Sequence, residues 1–197
     1  VTEGMRKGYN QYAPMSGLME LREGIAEKTY ELYGIDYSAP DEVTVVPGAT
    51  YGIFAAISAV IKEDDEVILF EPAYDCYVPA IELNGGKPIR VELKFPNFDI
   101  DWAEVAKLVT FRTKMIIINT PHNPSGCVLK PDDLNQLAKL VRGSDIIILS
   151  DEVYEHIIFD NVRHESVALY PELAERSFIV SSFGKTYHTT GWKMGYV

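Results

Sequence analysis

Cysteine, clustered positive charge, long apolar runs and internal repeats are all scarce or missing in this sequence, and each absence narrows what the chain can be. Cys76 and Cys127 are its only cysteines. They form no metal-like spacing and cannot build a framework of bridges, so no metal site is expected and a reducing, cytoplasmic setting fits best. Against 29 Asp and Glu stand 18 Lys and Arg, giving a formal net charge of −11 with no basic stripe. Nucleic acid and anionic membrane surfaces are therefore unexpected partners, and the acidity reads as solubility. The longest apolar stretch, "GIFAAISAVI" at 52–61, is shorter than the roughly 20 residues that span a bilayer. No signal peptide, Ser/Gly linker or low-complexity tract appears. The chain opens on "VTEGMRKGYN" and stops at "MGYV" just after a strand-like run. Neither end reads as a natural terminus, and residues 1–197 are expected to form one large domain cut short at both ends.

The patterning that is present alternates strand and helix. Leu18, Leu21, Ile25, Leu32 and Tyr33 recur at helical spacing, with Ser16 as the expected N-cap and Gly34 as the residue that ends the helix. Strands are predicted at 43–46, 66–70, 88–93, 115–119, 145–150 and 177–182. Helices are predicted at 49–62, within 74–86, at 101–109 and at 131–141, although Pro79 sits inside the second of these. "VILF", "MIII" and "IIIL" are unbroken apolar runs, which fit strands covered on both faces. The expected fold class is therefore α/β, a mostly parallel sheet flanked by helices. Ligands in such sheets bind beyond the carboxyl ends of the strands.

The residues directly after each strand are therefore the candidates for a site. After "VTVV" comes Pro47-Gly48-Ala49-Thr50 and a helix, where small residues let backbone N–H groups approach an anion; an ordinary strand–helix turn explains it as well. Tyr74, in "EPAYDCY", could stack on a flat ring or simply pack in the core. Asn123, in "TPHNPSG", is either a turn residue or an amide aimed at a ligand. Asp151 ends a buried strand, where a carboxylate needs a helix N-terminus to cap or a cation to pair with. Lys185 comes just after "SFIVSS" and could be a solvated charge or a tuned amine that attacks a carbonyl. Its Gly-Lys-Thr context suggests a nucleotide-phosphate loop, but that motif needs glycine at 179, which is Ile179.

Taken together, these strand ends offer an anion cradle, a stacking ring, an amide, a carboxylate and a lysine. Ser182 and Lys193 add a hydroxyl and a second cation for a phosphate. A pyridine ring bearing a phosphate, a phenolate oxygen and an aldehyde uses the whole set, which is the description of pyridoxal 5'-phosphate.

The segments "NQYAPMSGLMELREGIA", "PGATYGIFAAI", "EPAYDCYVPAIELNGG", "NTPHNPSG", "SDEVYEHIIF" and "SSFGKTYHTTGWKMGY" closely resemble the class I/II, fold-type I aminotransferases, and within them the bacterial methionine aminotransferases and the kynurenine aminotransferases. The resemblance implies a homodimer that moves an amino group from a methionine- or aromatic-type amino acid to a 2-oxo acid. It implies Lys185 as the Schiff-base lysine and proton carrier, and Asp151 as the partner of the pyridine nitrogen. Asn123 and Tyr154 would bond the phenolate oxygen, and Tyr74 would stack on the ring. Gly48, Ala49, Thr50, Ser182 and Lys193 would hold the phosphate, and Tyr12 would reach the phosphate of the partner subunit's site. Members carry an N-terminal arm and a small C-terminal domain, and the latter supplies an arginine for the substrate carboxylate. Arg90, Arg112, Arg142, Arg163 and Arg176 read instead as surface charges. A carbon–sulfur β-lyase on the same scaffold, or a non-catalytic cofactor-binding module in a regulator, would use the same lysine, aspartate and asparagine.

Overall fold

The computed structural model describes residues 1–197, which divide into two compact units, Val1–Val45 and Val46–Val197. The first holds three helices: α1 (Thr2–Arg6), α2 (Met19–Tyr33) and α3 (Ala39–Glu42). Gly34 ends α2 in the left-handed conformation, φ 71°, as the sequence predicts. The start differs from expectation. The N-cap position is Leu18 rather than Ser16, because the Ser16 carbonyl accepts from Val45 N–H at 2.9 Å, outside the helix. Arg22 is buried and donates to the carbonyls of Val43 and Pro40 at 2.8 and 2.6 Å, which pins the end of this unit to α2.

The rest of the chain alternates strand and helix: β1 (Val45–Val46), α4 (Ala49–Val60), β2 (Glu66–Glu71), α5 (Tyr77–Leu83), β3 (Lys87–Glu92), α6 (Trp102–Leu108), β4 (Thr113–Asn119), α7 (Pro131–Val141), β5 (Ile147–Asp151), α8 (Pro171–Ala174), β6 (Ser177–Ser182), α9 (Phe183–Thr186) and β7 (Gly195–Tyr196). The sheet order is β1-β7-β6-β5-β4-β2-β3. Pairings from β3 through β6 are parallel, and β7 runs antiparallel to β6. Pro79 is accommodated because it falls in the first turn of α5, where its missing N–H has no helical acceptor to lose.

The apolar runs resolve into two faces once the strands are extended. Ile68, Phe70, Ile116, Ile118 and Ile148 face α6 and α7, meeting Val105, Leu134, Leu137 and Val141. Val67, Leu69, Met115, Ile117, Leu149 and Val180 face α4 and α5, meeting Ile53, Ile57, Tyr77 and Ile81. Burying each such side chain contributes about 1.5–3 kcal/mol. Because both faces are covered, polar side chains have room only where the strands end. Register sets those ends side by side, with Asn119 opposite Asp151 and Asp151 opposite Val180. No helix is long and apolar enough to cross a membrane.

Candidate functional site

A cleft opens at the carboxyl ends of the strands. It is lined by Gly48, Ala49 and Thr50 at the start of α4, Tyr74 after β2, Asn119 and Asn123 after β4, Asp151 and Tyr154 from β5 onward, and Ser182, Lys185 and Lys193 after β6. Every residue predicted for one chain's own site lines this cleft. Tyr12 belongs to the first unit and is fully exposed.

Asp151 is the centre of the cleft's electrostatics. It is 3 % exposed. Tyr77 donates its hydroxyl to Oδ2 at 2.6 Å, and Val153 N–H donates to Oδ1 at 3.3 Å. No helix begins directly after it, so the carboxylate is not a helix cap. Burial pushes its pKa up to about 6; the Tyr77 and Val153 donors oppose this, Glu152 adds to it, and Lys185 opposes it. A carboxylate in that position is poised for a cationic partner, because a facing charge would return to it what burial takes away. The main chain around it is fixed by Asn119, whose amide donates to Asp151 O at 2.9 Å and whose Oδ1 accepts from Asn123 N–H at 2.7 Å.

Lys185 lies in the short helix α9 directly after β6, exposed, with Nζ 5.5 Å from the centroid of the Tyr154 ring. On the far side, Gly48 caps α4 with φ 90°, a conformation that side chains rarely adopt. A Cβ there would lie 3.4 Å from Lys193 Cε and 3.7 Å from Nζ, so the glycine leaves the space in which the ammonium sits. Lys193 itself has φ 54°. Gly195 allows β7 to approach the same turn, since a Cβ on it would stand 2.8 Å from Ala49 N. First-turn N–H groups of a helix lack intrahelical acceptors, and here the start of α4 lines the same cleft as Lys193 and Ser182. Such a set of donors suits an anion. Tyr74 also lines the cleft, with its hydroxyl 3.3 Å from Thr50 Oγ1.

Three features escape a reading of the sequence. Tyr77 holds Asp151, and only its place three residues after Tyr74 hints at it. Asn119 ends β4, where it reads as the last strand residue. Glu152, buried beside Asp151, accepts from Ser150 Oγ at 2.9 Å and Val167 N–H at 3.0 Å and meets His164 Nε2 at 2.9 Å. Arg176 also departs from the expected surface charge: it is half-buried and bonds the carbonyls of Val141, Ser144 and Ile146. Cys76 is no nucleophile, because burial, with Asp151 and Asp75 nearby, pushes its thiol up to about 12. No group of three or more His, Cys, Asp or Glu is placed to hold a metal ion.

An aromatic cation with a phosphate tail fits this donor set: a buried carboxylate for the cation, a tyrosine face for the ring, amides for an oxygen, a cradle for the phosphate and a lysine for a carbonyl. The family model described as aminotransferase class I and II matches residues 2–197. The methionine aminotransferase of Escherichia coli K12 is 52 % identical over 190 residues, covering 96 % of this chain and 49 % of that protein. Human kynurenine–oxoglutarate transaminase 1 is 36 % identical, covering 95 % and 47 %. The crystal structure of Escherichia coli YbdL, described with a methionine aminotransferase function, superposes with a TM-score of 0.97 at 50 % identity, over 99 % of this chain and 52 % of that one. An aromatic aminotransferase from Pyrococcus horikoshii gives 0.95 at 42 % identity, over 100 % and 52 %. The chain spans about half the length of the curated relatives it matches. It belongs to the class I and II aminotransferases, a pyridoxal-phosphate-dependent family with a fold-type I sheet.

Proposed function

We propose that the protein containing this chain is an aminotransferase that moves the amino group of a methionine- or aromatic-type amino acid to a 2-oxo acid, and that residues 1–197 are its cofactor-binding large domain. The observation that carries the reading is the meeting of Lys185, the buried Asp151 carboxylate and the anion cradle in one cleft. Pyridoxal phosphate, when bound, supplies an aldehyde to capture the amine and a ring that withdraws electrons from the substrate.

The chain's own groups do the rest. Lys185 would hold the cofactor's aldehyde and, once freed by the incoming amine, would be the base that moves the proton at the substrate Cα. Asp151 keeps the ring nitrogen protonated. Asn123 and Tyr154 bond the phenolate oxygen, and Tyr74 packs on the ring face. Gly48, Ala49, Thr50, Ser182 and Lys193 hold the phosphate. Tyr12 serves the partner subunit's site in a homodimer, and the enzyme works in the cytoplasm.

The test uses the full-length protein with pyridoxal phosphate, methionine and a 2-oxo acid, following both products by chromatography. The expected outcome is one amino acid formed for each methionine consumed. Thiol release without amino transfer would mark a carbon–sulfur lyase. Cofactor binding with no turnover of any amino acid would mark a regulatory module. Either result sinks the proposal.

A further inference from the structure

We propose that Tyr77 is a positioning residue for the cofactor ring: its hydroxyl fixes the Asp151 carboxylate so that the ring nitrogen, rather than the carboxylate, keeps the shared proton. The assignment rests on the proposed function, in which the cleft holds pyridoxal phosphate.

Three observations carry it. The hydrogen bond is short, 2.6 Å, and both partners are 3 % exposed, so water does not compete for it. Tyr77 is not itself a wall of the cleft. It stands behind Asp151 in the first turn of α5, locked in the apolar cluster with Ile53, Ile57, Ile81 and Ile117. Its ring also meets Tyr74 edge to face, with centroids 5.9 Å apart and planes at 75°. One side chain thus braces the two residues that the proposed function places against the ring, one on its face and one at its nitrogen.

The electrostatics give the brace a direction. Burial drives Asp151 toward its neutral form, and the largest force against this is the Tyr77 donor. Burial also holds the Tyr77 phenol well above its ordinary value, with Asp151 adding to this, so it remains a donor throughout the working range. The other groups facing Asp151 are Cys76 just before α5, kept as a thiol, Glu152 just after β5, engaged by His164, and Lys185 on α9. His122, across a small apolar cavity behind Tyr77, is pushed down by burial and stays neutral. None of these can replace a hydroxyl aimed at Oδ2.

The experiment is Tyr77→Phe in the full-length protein, a change that keeps the ring packing and removes only the hydroxyl. In the cofactor-free protein, carbon-13-labelled aspartate identifies the Asp151 carboxyl by its loss in Asp151→Asn. Its titration midpoint is expected to move up by about one pH unit or more. In the loaded protein, the pH midpoint of the visible absorbance of lysine-bound cofactor is expected to rise, because a less protonated ring nitrogen withdraws fewer electrons. Tyr77→Phe should add nothing to that midpoint in an Asp151→Asn background, a coupling that a merely structural role would not produce. Replacing Tyr77 by 3-fluorotyrosine, a stronger donor of nearly the same shape, keeps the test open if the phenylalanine variant does not fold; it should move both midpoints down. Unchanged midpoints in a folded variant, or equal changes with and without Asp151, overturn the assignment alone. A parent protein that takes up no pyridoxal phosphate overturns it together with the proposed function.

Discussion

Asp151 is held where its own charge is unwelcome unless a cation faces it. Burial raises its pKa from 3.8 to about 6. Between those values the folded, cofactor-free chain keeps a proton that the unfolded chain has released. Its stability therefore falls as pH rises from about 4 to about 6 and then levels off. The gap corresponds to about 3 kcal/mol. Asp151→Asn removes this dependence. We expect the variant to be more stable than the parent at pH 7 and close to it near pH 4 in urea unfolding without cofactor, while transamination in the full-length enzyme falls by orders of magnitude. An equal stability difference at both pH values would contradict the account. Lys185 presents the opposite case. It is exposed, so Lys185→Ala should change stability by no more than about 0.5 kcal/mol while abolishing the visible absorbance of bound cofactor; an unchanged spectrum would remove Lys185 from the chemistry. Both residues were legible in the sequence because each comes at or just past the end of an apolar strand. Tyr77 was not, because its distance to Asp151 is set by how α5 packs on the sheet, and no local pattern encodes that.

At the scale of elements, length decided what could be read. The buried cores of β2, β4 and β5 are continuous apolar runs, and α7 is bounded by Pro131 and an alternating polar face, so pattern alone placed them. By contrast, β7 is two residues long and α9 four, too short for any period to register. Yet β7 shapes the site, because Gly195 lets it press against the start of α4. A Cβ at that position would lie 2.8 Å from both Ala49 N and Ser181 O and 3.0 Å from Gly48 C, all backbone atoms that cannot swing aside. Gly195→Ala should therefore cost about 1–3 kcal/mol of stability and spread the cradle. We expect cofactor affinity to drop at least about tenfold, equivalent to about 1.4 kcal/mol at the phosphate, by equilibrium dialysis of the full-length variant. A stability loss with affinity unchanged would show that the cradle does not depend on this contact. The tie between Glu152 and His164 was hidden for a related reason: twelve residues separate them, and only the course of the intervening loop brings the pair together beside β5.

At the scale of the molecule, the proposed homodimer makes a prediction that no single chain can show. Tyr12 is 101 % exposed, so nothing in its own chain occupies its hydroxyl. If it serves the partner's phosphate, each complete site needs Lys185 from one subunit and Tyr12 from the other. Loss of a hydrogen bond to a charged phosphate is worth about 1.5–3 kcal/mol, so Tyr12→Phe homodimers should be impaired at limiting cofactor, and Lys185→Ala homodimers should be inactive. A hybrid carrying Lys185→Ala on one subunit and Tyr12→Phe on the other separates the two arrangements. Where Tyr12 acts across the interface, the subunit that retains Lys185 receives an intact Tyr12 from its partner, one whole site forms, and the purified hybrid recovers about half of the parental activity, as a two-site symmetric dimer requires. Where Tyr12 acts within its own chain, the only subunit with a lysine is also the one lacking the hydroxyl. The hybrid then shows half the activity of the Tyr12→Phe homodimer, and differently tagged subunits purified through both tags, assayed at limiting cofactor, distinguish that value from the recovered one.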